Sequence, residues 1–466
     1  MIFTKEVSRK IKDIFQLRIQ EYQIKDLIFT KEVSRKIKDI FQLRIQEYQI
    51  KDLIFTKEVT MKTKLTQLQI EYTYPVHEPF KKEEILFFDI ETTGFSAKTS
   101  YVYLIGCMYC KEDSWEIIQW LNTEPAKELE FILAFFDFLK DYRRLIHYNG
   151  SGFDIPFLQK KAEMYGIADP FAHIESVDLY KSILPLKKLL SFESIRLKAI
   201  ESYLGLKRMD TYSGEELISL YSGYLGRLAY ERLAGQSAPA NNGANPSAAD
   251  LENILLLHNL EDVRSLLPIS GMLYFRDILA SGTLTDSHSL ITCEFSEDQS
   301  LVSLTCQLPF SFPGAFTVSC PLKEKTSLKS NQEIIEGMEL VVAFDGCSLI
   351  FKIPVYNGTL KYYLSPPSDY YYLPMEDMAV HKSVSQYVDK EYRKKATPST
   401  CYLKRNGKFI PQGIHEGDTC FDPYFKKNYA DKITYMEAEK LKEMPAKDLA
   451  AFGEGLLMLL KNYYRL

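Results

Sequence analysis

The rhythm of apolar and polar positions divides this 466-residue chain into four stretches of different texture. Ile2 to Leu27 carries apolar residues at helical spacing (Val7, Ile11, Phe15, Ile19, Tyr22), and the same unit recurs unchanged as Ile28 to Leu53 before a third copy begins at Ile54. Structural repeats normally drift at solvent-facing positions, so identity at every position points to a recent duplication rather than a worked solenoid. The unit reads either as a helical arm for a partner or as an accidental extension upstream of a start near Met61, and the second reading is preferred. Residues 61–83 form a lead-in with one strand. From Glu84 an apolar strand runs through Ile85-Leu86-Phe87-Phe88 and then places Asp89 and Glu91 around Ile90. Apolar Tyr101 to Cys110 reads as a second strand. Arg144 to Leu158 reads as a short strand, a glycine-rich turn and the start of a helix running from about Asp154 to Tyr165. Helices follow at about Phe192–Leu204 and Gly214–Leu233. The small, polar stretch from Ala234 to Ala249 reads as a mobile surface loop, and a long helix containing Asn253–Val263 continues to about Leu279.

Beyond Thr283 the pattern becomes strand-like, through Leu290–Leu308, Ala315–Cys320, Leu340–Phe344, Ser348–Val355 and Thr359–Leu364. Pro309, Pro313, Gly337, Gly346 and Gly358 supply the turns. Helical spacing returns at Met378–Lys394 and at Tyr435–Arg465. This divides the chain into a duplicated extension (1–60), a lead-in (61–83), an α/β domain (84–282) and a mostly β domain with helical additions (283–466).

Asp89 and Glu91 stand two apart in a strand and so project from one face. Two carboxylates flanked by Phe87, Phe88 and Ile90 repel each other unless a cation lies between them, and hard oxygen donors suit Mg²⁺ or Mn²⁺. Asp154 opens a helix behind the turn Asn149-Gly150-Ser151-Gly152, where an N-cap alone would also explain it. His258 and Asp262 share a helical face four residues apart.

These three segments, in this order, resemble the motifs of the DEDD (DnaQ-like) 3′→5′ exonuclease superfamily, and more narrowly the YprB-like group of bacterial ribonuclease-H-like proteins. The resemblance covers roughly residues 84–280. It implies a ribonuclease-H-like mixed sheet flanked by helices, two divalent ions (Mg²⁺ or Mn²⁺) held by Asp89, Glu91, Asp154 and Asp262, and hydrolysis of DNA or RNA from 3′ ends. Asp89 would bridge both ions, Glu91 and Asp262 would complete one seat, and Asp154 would serve the other through water. Asp178, in Ser176-Val177-Asp178-Leu179, is either a further supporting acid or a surface one. The sequence departs from the family at His258: the histidine of the His-type branch lies five before the last aspartate, whereas His258 takes the tyrosine's place of the other branch, four before it. His258 is therefore a candidate proton acceptor or a residue that orients the attacking water. Two rival readings are a non-catalytic nucleic-acid-binding scaffold on the same fold and a structure-specific endonuclease.

The remaining features constrain partners. A net charge of −5 argues against a protein that coats nucleic acid non-specifically, but not against one that grips it through ions. Eight dispersed cysteines read as reduced thiols of a cytoplasmic protein, with Cys107 and Cys110 as ordinary strand residues. No apolar run is long enough to span a membrane. In the second half, Tyr370-Tyr371-Tyr372, Tyr392-Arg393-Lys394-Lys395 and Lys404-Arg405 mix rings and cations in the manner of single-strand binders, or of ordinary strand surfaces. Within Ser191–Lys198, Arg196 and Lys198 are placed for phosphate contact or simply on a solvated helix face. His381, His415 and Cys420 are too dispersed for a metal site.

Overall fold

The structure is a computed structural model and describes residues 61–70, 72, 74–234, 246–279, 284, 290–322, 338–413 and 421–466. The duplicated extension, most of the Ala234–Ala249 stretch, Gly337, His415 and Cys420 lie outside the described residues.

Six strands build the first sheet: β1 (Met61–Leu68), β2 (Ile85–Thr92), β3 (Val102–Lys111), β4 (Ser114–Asn122), β5 (Arg144–His147) and β6 (Glu175–Asp178), in the order β1-β4-β3-β2-β5-β6. β2 to β4 form an antiparallel meander, whose β3–β4 turn places Glu112 and Asp113 at φ 50° and 61°, the left-handed pair that a two-residue hairpin loop requires. β5 runs parallel to β2, and β6 parallel to β5. This mixed sheet, with helices on both faces, is the expected ribonuclease-H-like architecture.

The alternation within β2 decides which helices cover which face. Leu86, Phe88 and Ile90 enter a core with α1 (Glu128–Leu139) and α2 (Asp154–Met164), where the Phe88 and Phe135 rings stack at 5.8 Å. Ile85 and Phe87 enter the opposite core, so Asp89 and Glu91 continue the side covered by the long helix Ala248–Ile269. Cys107 and Cys110 face these two cores separately, as an odd spacing in a strand dictates, and both are free thiols. Short α3 (Leu179–Ile183) and α4 (Leu197–Tyr203) lead to α5 (Gly214–Ala234) and then to α6, the helix Ala248–Ile269. Helix α4 thus begins later than the periodicity indicated.

A turn of 3₁₀ helix at Ser270–Met272 joins α6 to α7 (Leu273–Ile278). From α7, Tyr274 stacks on Phe310 at 4.0 Å and Phe275 stacks on Phe312 at 5.0 Å, with Phe316 and Phe344 edge-on to Phe275. The last two belong to a second, antiparallel sheet of β7 (Ile291–Phe295), β8 (Leu301–Gln307), β9 (Phe316–Pro321), β10 (Glu339–Asp345) and β11 (Ser348–Pro354), ordered β7-β8-β11-β10-β9. Its inward residues Leu304, Val342 and Phe351 share a core with Phe452, Leu456 and Leu460 of the helix Ala446–Tyr464. One continuous apolar core therefore connects the first sheet to the second.

The segment Met378–Lys394 is not a helix. It holds strand Met378–His381, one short turn of helix at Lys382–Ser385, a 3₁₀ turn and the start of strand Lys394–Lys395. Tyr370–Leu373 pairs with both of these strands, and the cross-strand partners outweigh the weak local periodicity. The C-terminal helical stretch likewise opens as strand Tyr435–Glu437, with the long helix starting only after Pro445. The Arg393 guanidinium lies 5.1 Å from the Tyr371 ring, so part of the ring-and-cation mixture does converge.

Phe275→Ala should lower stability by about 3–5 kcal/mol in urea denaturation. A loss below about 1 kcal/mol would mean that the aromatic stack does not join the two sheets.

Candidate metal centre

Parallel β2, β5 and β6 point their carboxyl ends the same way, the usual location for ligands in sheets of this kind. Asp89 and Glu91 leave β2 on the face toward α6. Opposite Asp89 in register stands Gly106. A Cβ at position 106 would lie 2.1 Å from Asn259 Oδ1, so only glycine lets α6 approach this closely. The approach places Asn259 where its Nδ2 donates to Asp89 Oδ2 at 3.0 Å. Gln119 Nε2 fixes the amide's orientation by donating to Asn259 Oδ1 at 2.9 Å.

Asp154 reaches the same place from the other side of the strand. Its helix is capped by Phe153 without a side-chain bond, while Asp154 Oδ1 accepts from the Ile90 amide at 3.3 Å. The third acid is therefore tied to β2 between the other two. The turn before it is shaped by Asp178, which accepts from the Asn149 amide at 2.9 Å and from the Ser151 hydroxyl, and also caps α3 through the Lys181 amide. Buried His147 stacks beneath Gly150, where a Cβ would lie 2.7 Å from the ring. Asp178 thus holds the loop that delivers Asp154.

From α6 come His258 and Asp262. His258 Nε2 lies 3.6 Å from Glu91 Oε1 and 3.4 Å from Asp262 Oδ2, and donor atoms of all three residues fall within 4.8 Å of one another. The other ring nitrogen, Nδ1, is 2.7 Å from Asp210 Oδ2. Burial favours the neutral acid at Asp210, but His258, the Tyr212 amide and Lys198 outweigh it and hold the carboxyl below the usual range. An ionised Asp210 accepts, so Nδ1 carries the proton. Asp210 is in turn seated by Glu261, one turn from His258 on α6, which accepts from the Met209 and Asp210 amides. Arg208 completes the cluster, spanning Glu201, Asp210 and Asp262; burial opposes its charge, and the Asp262 and Glu201 carboxylates keep it protonated.

All five sequence candidates (Asp89, Glu91, Asp154, His258 and Asp262) thus come together in one cluster, with Asp178 behind it. Lys198, read in sequence as a phosphate contact or a solvated cation, donates to the Tyr212 carbonyl at 2.6 Å and to Asp210 at 3.3 Å. Asn259, Arg208, Asp210 and Glu261 gave no signal in sequence. Asn259 and Glu261 do sit between two noticed residues, and helical geometry alone could have drawn attention to them.

The electrostatics match a cation seat. Burial, then the charges of Asp154, Asp262 and Glu91, push the Asp89 carboxyl well above its ordinary range, with only Asn259 opposing. Glu91 is raised likewise by burial, Asp262 and Asp154, against Arg208. Burial chiefly, with Asp178 and Asp262, pushes Asp154 up to about 7. Protein packs densely around these groups, yet 14% of the Glu91 side chain and 16% of Asp262 remain accessible to solvent. Crowded, buried oxygen donors with too few internal counter-charges fit divalent ions well.

Residues 86–274 match the model of the RNase_H superfamily. Among solved structures, the family B DNA polymerase from the hyperthermophilic archaeon Pyrobaculum calidifontis is similar at 15% identity over 69% of this chain and 44% of that one, with a TM-score of 0.33. Exonuclease I in its apo form aligns at 10% identity over 49% and 57% of the two chains, TM-score 0.24. E. coli Exonuclease I in complex with a dT13 oligonucleotide aligns at 11% over 57% and 65%, TM-score 0.23. The chain spans roughly half the length of these structures. No curated protein matches the sequence. Among the described residues, no helix is long and apolar enough to cross a membrane.

The raised carboxyls determine how stability depends on pH. A carboxyl with a higher pKa folded than unfolded binds more protons in the native state, so its contribution is present below its ordinary value of 3.8 and lost as pH rises through about 7 for Asp154. The chelator-treated protein should therefore lose about a few kcal/mol between those limits. Mn²⁺ or Mg²⁺ should restore the loss at pH 7.5 and do little at pH 4.5. Melting temperatures that are independent of the ion at both pH values would contradict the seat.

Proposed function

We propose that this chain is a metal-dependent nuclease that removes nucleotides from the 3′ end of single-stranded or frayed DNA or RNA. The observation that carries this reading is the convergence of Asp89, Glu91, Asp154 and Asp262, from three separate segments, on one pocket at the carboxyl end of a ribonuclease-H-like sheet. Two divalent cations bound there would activate water for attack on phosphorus and take up charge on the leaving oxygen. The protein's part is to hold the four carboxylates ionised around those ions, to keep Asp89 aligned through Asn259, and to fix the His258 ring through Asp210. Arg208 shares Asp262 and limits the negative charge of the pocket.

Beside the acids, the strand runs into Thr92-Thr93-Gly94-Phe95. Phe95 is 92% exposed, with its ring 6.1 Å from that of Phe153 at the head of α2. An unburied ring at the mouth of a phosphate-handling pocket suits stacking on an unpaired terminal base, and such stacking accepts any sequence. This favours a strand end over an intact duplex.

Purified protein with Mn²⁺ or Mg²⁺ should convert 5′-labelled oligonucleotides into a ladder that shortens from the 3′ end. Asp89→Asn and Asp262→Asn should each lower the rate by at least about a thousandfold, as loss of several kcal/mol of ion-mediated stabilisation requires. Oligonucleotides left intact under all conditions, or variants as active as the parent, would refute the proposal. Phe95→Ala should weaken single-strand binding by roughly 1–3 kcal/mol while the carboxylate site still takes up Mn²⁺. Unchanged binding in a titration with labelled oligonucleotide would remove Phe95 from the substrate path.

A further inference from the structure

His258 is only 5% exposed, and its two ring nitrogens face different surroundings. Nδ1 is committed to Asp210, itself held by Arg208, Lys198 and the backbone-clamping Glu261. Nε2 points into the pocket and makes no hydrogen bond among the described residues. Its neighbours are Glu91 Oε1 at 3.6 Å and Asp262 Oδ2 at 3.4 Å. Asp262 is similarly divided: its Oδ1 takes Arg208 and its Oδ2 faces His258.

Three ligand atoms turned toward one another within 4.8 Å form a seat that a cation can occupy in place of a proton. Around a first-row divalent ion with bonds of about 2.0–2.2 Å, neighbouring donor atoms sit about 2.9–3.6 Å apart. The spacings at Nε2 fall in that range before any ion is placed. A carboxylate on the far nitrogen is also the usual companion of a ligating histidine, because it fixes the tautomer and strengthens the donor. Asp210 supplies it.

We infer that the cation seated against Glu91 and Asp262 takes Nε2 of His258 as a ligand, so that this seat is a mixed nitrogen–oxygen site which selects Mn²⁺ over Mg²⁺. The inference rests on the nuclease reading only in assuming that the pocket binds cations. A nitrogen donor is accepted more readily by a first-row transition ion such as Mn²⁺ than by Mg²⁺, which holds to oxygen. Asp89 and Asp154, with oxygen donors alone, leave the second seat open to either ion. The arrangement also excludes His258 as the proton acceptor for water in the loaded site, since the lone pair that would accept the proton is in use. Asp210 is then a positioning residue, acting on the ion through the ring.

The test is pulsed EPR of Mn²⁺ bound to the full chain, made once with natural-abundance histidine and once with ¹⁵N-histidine, beside His258→Gln, Asp210→Asn and Asp89→Asn. The inference expects nitrogen modulation from bound Mn²⁺ that changes with the histidine isotope and disappears in His258→Gln. Mn²⁺ should bind at least about tenfold more tightly than Mg²⁺ in the parent, and Asp210→Asn should weaken Mn²⁺ binding by about 10–100-fold. The isotope exchange in the unaltered protein decides the matter even if His258→Gln fails to fold. Mn²⁺ that binds in an Asp89-dependent way without histidine nitrogen coupling overturns the ligand assignment and leaves the nuclease reading standing. Absence of Mn²⁺ binding to the unaltered chain overturns both.

Discussion

Repulsion among buried carboxylates is the constraint around which this half of the molecule is arranged. Asp89, Glu91, Asp154 and Asp262 come from two helices and one strand, and burying them together costs free energy that no neighbouring apolar contact recovers. Each surrounding feature reduces that cost without removing it. Asn259 donates to Asp89, the Ile90 amide donates to Asp154, and Arg208 meets Asp262. The remaining excess of negative charge is what a divalent ion would neutralise, so stability in the absence of the ion is exchanged for affinity in its presence.

Such a pocket needs a rigid frame, and much of the fold provides one. Gly106 lets α6 lie close enough to β2 and β3 to bring Asn259 to Asp89. Gln119 on β4 fixes the Asn259 amide. Glu261 clamps the loop that bears Arg208 and Asp210. Past the site, α7 is locked to the second sheet by the stacks of Tyr274 and Phe275. The β-rich half is thereby joined to the helix that carries His258 and Asp262 and steadies it through a shared core.

The parts of this arrangement legible in sequence were those written in short-range spacing. The i, i+2 pair Asp89 and Glu91, the glycine turn before Asp154 and the i, i+4 pair His258 and Asp262 each announce a shared face within a few residues. Strands of the second sheet were legible for the same reason, since alternation is local. Asp210 was not, because nothing in Lys207-Arg208-Met209-Asp210 encodes a partner 48 residues away. Met378–Lys394 was misread as a helix because its strands are short and owe their conformation to pairing with Tyr370–Leu373. Lys198 shows the same effect in a charged residue: sequence gives a free cation, while the fold supplies Asp210.

The most direct measurement of the central claim is anomalous scattering from crystals of the protein grown with Mn²⁺. Two peaks about 3.5–4 Å apart are expected in the pocket, with Asp89 contacting both. Carboxylates that stay crowded together with no ion between them, or Mn²⁺ found only at surface sites away from Asp89, would contradict it.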